Sequence, residues 1–105
     1  MRIVFVYDNV YTMGGIQTWL TRTVPRLRAA GHEVALLTRP RGRSWDVGSE
    51  TIDELSKHAT IHVGPARWFQ APRAVEPPLV GADVLFACNL QALLVCAQVQ
   101  QRLLP

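Results

Sequence analysis

The fold is decided by residues 2–38, which read RIVFVYDNVYTMGGIQTWLTRTVPRLRAAGHEVALLT. This stretch opens with a run of β-branched and aromatic residues, Arg2 to Tyr7, in which apolar and polar positions do not alternate. Such a run is typical of a parallel strand that is covered on both faces. A second run of the same character extends from Glu33 to Thr38. Two covered strands separated by a helix-length segment predict a parallel pair joined by a crossover.

The segment between the two strands changes its period at Ile16, from which apolar residues recur at helical spacing. Gly31 is a typical helix-stopping residue, whereas Pro25 removes one backbone hydrogen bond and predicts a bend. We therefore predict one helix here. Its predicted apolar stripe consists of Ile16, Trp19, Leu20, Thr23, Val24, Leu27 and Ala30.

The rest of the chain repeats the alternation of strands and helices. In chain order we predict a Pro/Gly/Arg-rich loop at 39–48, a short helix around Ile52 and Leu55, a strand at 59–63, a loop at 64–81, a strand at 82–87 and a helix at 90–104. The residues of the last helix that we predict to be buried include Leu93, Leu94, Ala97 and Leu104.

This alternation predicts an α/β fold, and the length predicts one domain, residues 1–105. Right-handed crossovers give a Rossmann-like, three-layer αβα arrangement with a parallel four-stranded sheet of order 3-2-1-4. Ligands of such sheets bind beyond the carboxyl ends of the strands, where the strand order reverses. The predicted ligand site is therefore a crevice between the first and fourth strands.

Composition narrows the class of protein. The chain is 49% hydrophobic and 18% charged, which excludes a disordered chain. No apolar run is long enough for a membrane-spanning helix, and the first run breaks at Asp8, too early for a signal peptide. These features predict a cytoplasmic protein with reduced cysteines, Cys88 and Cys96, whose spacing indicates no metal site.

The net charge of +3 allows contact with phosphate-bearing ligands or with an anionic membrane surface, such as the inner face of the membrane. No nucleic acid partner is expected, because no basic stripe is interleaved with aromatic residues. Three of the positive charges, Arg39, Arg41 and Arg43, lie in the loop after the second strand. We consider two interpretations of them: a solvated loop, or contact with an anionic acceptor or membrane surface.

Two groups of residues face the predicted crevice. Gly14 and Gly15 lead into the first helix, where bare backbone and unpaired N–H groups suit a phosphate or a sugar hydroxyl. The alternative is that they only make a tight turn. Their spacing matches neither a dinucleotide-binding fingerprint nor a P-loop, and no cofactor is expected. Asp8 and Asn89 end the two flanking strands. Catalytic residues stay unknown, because no triad, Cys-His pair or carboxylate pair is recognisable.

The segments MRIVFV at 1–6, GGIQ at 14–17 and LRAAGHEV at 27–34, in this order and at these distances, resemble the N-terminus of glycosyltransferase family 4. The segment GADVLFAC at 81–88 is similar to that family's Asp-Val-(Val/Ile)-His-Ala-His strand. Phe86 and Cys88 depart from the pattern, because they stand where the family usually has histidines.

The resemblance implies a retaining, metal-independent enzyme of the GT-B type, in which two Rossmann-like domains face a cleft. This chain is then part of the N-terminal, acceptor-side domain, and the nucleotide-sugar donor binds mainly to an absent C-terminal domain. The acceptor is a sugar, a lipid or a cell-envelope glycan. The substrate-binding residues that we predict are Gly14, Gly15, Gln17 and Asn89.

We expect the 105-residue chain alone to be inactive. A four-stranded sheet of this order leaves one edge and an apolar helix face uncovered, so self-association is expected. The alternative function is a non-catalytic binding or interaction module built on a half-Rossmann unit.

Overall fold

The structure, a computed structural model, describes residues 1–12, 14–67 and 77–103. Its elements are β1 (Arg2–Val6), α1 (Gly15–Ala29), β2 (Glu33–Thr38), α2 (Glu50–Leu55), β3 (Thr60–Val63), β4 (Val84–Ala87) and α3 (Leu90–Leu103). The strands form a parallel sheet of order β3-β2-β1-β4, which confirms the predicted α/β, Rossmann-like architecture. Residues 68–76 of the predicted loop and the predicted core residue Leu104 lie outside the described residues.

β1 lies at the centre of the sheet because its side chains are apolar on both faces. Ile3 and Phe5 point to the layer formed by α1 and α2, whereas Val4 and Val6 point to the layer that contains α3. All four side chains are buried. β1 pairs with β2 on one side and with β4 on the other, so the carboxyl ends of β1 and β4 lie side by side.

The buried face of α1 is rotated slightly relative to the predicted apolar stripe. Leu20 and Val24 are buried as predicted, together with Gln17, but Ile16 and Trp19 are substantially exposed. The prediction was wrong at these two positions and at Ala30, which is exposed just beyond the end of α1, because the buried face is centred on Gln17, Leu20 and Val24. Pro25 lies within α1, which continues to Ala29. Gly31 follows with a φ of 94°, a left-handed conformation that makes it the predicted stop.

α3 is also rotated relative to the prediction. Leu93, Leu94 and Ala97 were expected in the core, but all three are exposed. The buried residues of this helix are Ala92, Val95, Cys96 and Val99. Because α3 is apolar on almost every side, its sequence does not define which face meets the sheet. The small side chains of Ala92 and Val95 allow a close approach to β1.

The outer side of β4 forms an apolar surface, here called the β4 edge surface. Within the described residues, β4 has β1 as its strand neighbour on one side and none on the other. Phe86 is 43% exposed, although its ring contacts Phe5 and Trp19 at centroid distances of 5.5 and 5.2 Å. The surface comprises Val84 and Phe86 of β4, whereas the exposed leucines Leu90, Leu93 and Leu94 belong to α3, which packs on the opposite face of the sheet.

Self-association through the β4 edge surface stays a prediction, which Phe86→Ser tests. Because Phe86 is the large aromatic side chain of this surface, we expect the variant to shift sedimentation-velocity profiles toward the monomer. The matched control is Val63→Ser, which changes an exposed apolar residue on β3, the opposite edge strand, and should leave the profile unchanged. A wild-type chain that sediments as a monomer at every concentration would contradict the prediction.

Candidate functional site

A crevice of about 380 Å³ opens where β1 and β4 end, at the position that the strand order predicts. Three segments converge on it: the loop after β1, the loop after β2 and the start of α3. The crevice is lined by Asp8, Asn9, Arg43, Trp45, Asn89, Leu90 and Gln91.

A buried carboxylate joins these three segments. Asp8 is 2% exposed, and its Oδ2 accepts a hydrogen bond from Nη1 of Arg43 at 3.1 Å. Its Oδ1 accepts a hydrogen bond from Nδ2 of Asn89. The Oδ1 of Asn89 in turn accepts the N–H of Ala92 at 2.9 Å and caps α3. Asn89 therefore lies at the crevice as predicted, with its amide bonded to Asp8 and to the helix start.

Trp45 provides the aromatic face of the crevice. Its side chain is 52% exposed, while its Nε1 donates to Oδ1 of Asn9 at 3.2 Å. The guanidinium of Arg43 lies over the indole ring, 5.3 Å from its centroid. Trp45 is not among the residues predicted from the sequence. In the sequence, Trp45 is an aromatic residue within a charged loop that contains glycine. This pattern indicates a functional side chain only when the loop is known to lie beside the carboxyl ends of the strands.

A buried ion pair fixes the loop that contains Arg43 and Trp45. The guanidinium of Arg39, which is 1% exposed, donates to both carboxylate oxygens of Asp46 at 2.9 and 2.8 Å. The Asp46 carboxylate also accepts the backbone N–H groups of Gly42 and Arg43. These partners, Arg39 above all, hold the pKa of Asp46 well below its usual range. Arg39 is thus neither solvated nor available to an anionic ligand.

The glycine loop lies at the start of α1, with Gly14 and Gly15 both exposed. Neither residue has a left-handed φ, so the backbone conformation alone does not require glycine at either position. A Cβ on Gly14 would come within 3.3 Å of Oε1 of Gln17, whereas a Cβ on Gly15 would meet nothing within 4 Å. The space above Gly15 is open to a ligand, and α1 has no side-chain cap over its first N–H groups.

Gln17 connects the glycine loop to the crevice. Its buried Nε2 lies within hydrogen-bond distance of Oη of Tyr7 (3.1 Å), the carbonyl oxygen of Asn9 (2.8 Å) and Oγ1 of Thr12 (2.6 Å). The side-chain amide thus ties the 8–12 loop to α1 and positions Asn9. Direct substrate binding by Gln17 stays a prediction, as it does for Gly14 and Gly15.

Phe86 and Cys88 lie on the other side of β4 from α3. Together with Ile16, Trp19 and Ala87 they line an apolar hollow of about 190 Å³. Burial raises the pKa of the Cys88 thiol to about 12, so it is neutral at physiological pH. Neither side chain offers the acid–base chemistry of the histidines that the resembling family has at these positions.

Comparison with known proteins identified no matching family model, no similar protein of curated function and no similar solved structure. None of the helices in the described part of the chain is long and apolar enough to cross a membrane.

Replacing Asp46 tests the buried ion pair. Asp46→Asn leaves the guanidinium of Arg39 buried without its counter-charge, so we expect a loss on the order of 3 kcal/mol in the free energy of unfolding, measured with urea. Glu54→Gln is the control, because the Glu54–Lys57 pair is exposed and its loss should change stability far less.

The same pair predicts an acid dependence. Because the folded-state pKa of Asp46 lies below the unfolded value of about 3.9, its stabilisation is present at neutral pH and is lost as the pH falls below about 5. Asp46→Asn should therefore flatten the acid limb of the stability curve. An unchanged limb would show that Asp46 does not control it.

Gln17→Ala tests whether this residue positions the 8–12 loop. The variant removes a buried amide nitrogen that lies within hydrogen-bond distance of three oxygen atoms, and we expect a loss of about 1–3 kcal/mol in the free energy of unfolding. Amide hydrogen exchange of the 8–12 loop should become faster. Thr18→Ala, which removes an exposed hydroxyl one residue away, is the matched control. Unchanged exchange in Gln17→Ala would argue against a positioning role.

Proposed function

We propose that this protein is the N-terminal, acceptor-side domain of a retaining GT-B glycosyltransferase. The enzyme moves a sugar from a nucleotide-sugar donor to an acceptor such as a lipid or a cell-envelope glycan. The resemblance of residues 1–6, 14–17 and 27–34 to glycosyltransferase family 4 suggests this class. The observation that carries the proposal is the crevice beside β1 and β4, where an aromatic face lies next to a network of polar side chains.

The lining of the crevice suits a sugar. A sugar ring presents hydroxyl groups around its rim and C–H groups on its faces. Asn9, Arg43 and Gln91 contribute polar groups to the lining of the crevice, and the half-exposed Trp45, with the Arg43 guanidinium over its ring, contributes an aromatic surface for the C–H groups. The volume of about 380 Å³ lies within the usual range of small-molecule sites.

In the proposed function the glycine loop contacts the diphosphate of the donor. The start of α1 presents N–H groups beside the open space above Gly15, which suits the diphosphate of the donor. In this proposal the remainder of the donor binds to the second Rossmann-like domain of a GT-B enzyme.

The chain's own contribution is to bind and orient the acceptor. Asp8 already accepts hydrogen bonds from Arg43 and Asn89, and the thiol of Cys88 is neutral. No catalytic residue is assigned. We place the protein in the cytoplasm, where its net charge of +3 favours the inner face of the membrane.

The alternative function is a non-catalytic saccharide-binding module, which the same crevice favours. The two functions differ in what the glycine loop does. In the glycosyltransferase the start of α1 contacts a diphosphate once the second domain is present, whereas in the module it has no ligand. Addition of a high concentration of UDP separates the two functions. In the glycosyltransferase it should shift the amide resonances of Gly15 and Ile16, and in the module it should leave them unchanged.

Saccharide binding tests the proposal. We expect glucose, mannose or N-acetylglucosamine to bind the ¹⁵N-labelled chain in the millimolar range and to shift resonances of Asn9, Trp45 and Gln91. Trp45→Ala should weaken binding at least about tenfold, because it removes the aromatic face. Val47→Ala is the control, since this residue is exposed in the same loop but does not line the crevice.

Two results would count against the proposal. Absence of saccharide-induced shifts at the crevice would remove its main support. Tight binding of UDP or GDP by the chain alone would overturn the proposed division of labour between two domains.

A further inference from the structure

We propose that a second copy of this chain packs on the side of α3 that faces away from the sheet, with the two α3 helices antiparallel. This side, here called the α3 outer face, consists of Leu90, Leu93, Leu94 and Ala97. It is separate from the β4 edge surface, because Phe86 contacts Phe5 and Trp19 in the layer of α1, whereas α3 packs on the other side of the sheet.

The α3 outer face follows from the helical repeat. Its four residues are spaced i, i+3, i+4 and i+7, so they form a stripe along one side of the helix. The buried residues of α3 face the sheet on the other side. Leu90 is 71% exposed, Leu93 54% and Leu94 51%. A stripe of exposed leucines on adjacent turns indicates an interaction surface.

α1, the helix of the opposite layer, has the outer face of a solvated helix. It carries Arg22 and Arg26, both exposed on the side away from the buried residues Leu20 and Val24. The described side chains of α3, residues 90–100, include no charged group. Both helices cover the same sheet, so the difference between their outer faces indicates that α1 faces water and α3 faces a partner.

The lack of charge on the α3 outer face favours a second copy as that partner. In a two-fold interface each surface meets itself, so a charged group near the axis meets the same charge on the other copy. The chain has a net charge of +3, to which residues 90–100 contribute nothing. Two copies therefore meet at this face without repulsion between like charges.

The side chains beside the stripe are also complementary to themselves. Gln98 and Gln100 are exposed on its two flanks. A carboxamide both donates and accepts hydrogen bonds, so the same residue on two copies can form a pair, which two lysines or two glutamates cannot do. A helix that binds an anionic lipid surface carries Lys and Arg on its polar side, and residues 90–100 contain neither.

Ala97 determines how the two helices fit together. Its small side chain lies one turn beyond Leu94 on the same face. A two-fold axis that places Ala97 opposite Leu94 of the second copy pairs a large side chain with a small one twice. The antiparallel arrangement also brings opposite ends of the two helix dipoles together. A stripe of about two helical turns is smaller than a standard interface, so we expect a weak, reversible dimer.

Sedimentation velocity of the Phe86→Ser variant tests the α3 outer face by itself, because this variant lacks the aromatic side chain of the β4 edge surface. Between about 10 μM and 1 mM we expect a reversible monomer–dimer equilibrium. Addition of Leu94→Gln should raise the dissociation constant at least about tenfold, since it removes an apolar contact that occurs twice in the dimer. Leucine and glutamine have similar helix propensities, so α3 should stay folded.

The matched control is Ile16→Gln in the same Phe86→Ser background. Ile16 is 37% exposed and lies in α1, in the layer opposite α3. The substitution also replaces an exposed aliphatic side chain of a helix by glutamine, but it should leave the dissociation constant unchanged. An equal effect of Ile16→Gln and Leu94→Gln would overturn the assignment of the interface to α3.

Contacts between the two copies determine the orientation of the helices. In an equimolar mixture of ¹³C-labelled and unlabelled chains, we expect nuclear Overhauser effects between the methyl groups of Leu94 in one copy and Ala97 in the other. Effects between Leu94 of one copy and Leu94 of the other, without any to Ala97, would overturn the proposed arrangement.

A Phe86→Ser variant that stays monomeric up to about 1 mM would overturn the proposal, as would dimers that persist unchanged in Leu94→Gln. A chain that is monomeric in solution but co-sediments with phosphatidylglycerol vesicles through Leu94 would also overturn it, because the occupant would then be a lipid surface. None of these results affects the saccharide titration of the crevice, so the proposed function is tested separately.

Discussion

The carboxylate of Asp8 is the constraint on which the crevice depends. It follows β1 two residues after the strand ends, and a buried carboxylate at that point must find donors. The donors come from two other segments: Arg43 from the loop after β2, and Asn89 from the end of β4. One carboxylate thus brings together three segments that are distant in sequence, and it fixes where an aromatic ring and a helix start meet.

Much of the fold was predictable because two short runs, Arg2 to Tyr7 and Glu33 to Thr38, have no polar face. Such strands must be covered on both sides, and right-handed crossovers then leave little choice of strand order. The rotation of α3 was not predictable in the same way. Its apolar residues surround the helix, so the choice of Ala92 and Val95 over Leu93 depends on how closely the helix approaches the sheet.

The location of the candidate site followed from topology, but the tasks of its residues did not. Asn89 was predicted at the crevice and lies there, yet its amide bonds to Asp8 and caps α3. Arg39 and Arg43 look equivalent in the sequence. In the structure Arg39 forms a buried ion pair with Asp46, whereas Arg43 lies at the crevice and pairs with Asp8. This difference depends on the three-dimensional path of the loop.

The two hydrogen bonds of the Asn89 side chain also couple α3 to the crevice. The same side chain bonds Asp8 through its nitrogen and the first turn of α3 through its oxygen. The exposed side of that helix carries Leu93 and Leu94. A molecule that contacts this side and a ligand in the crevice act on one shared helix. Any effect of the first on the affinity of the second must therefore be returned by an equal factor, as thermodynamic linkage requires.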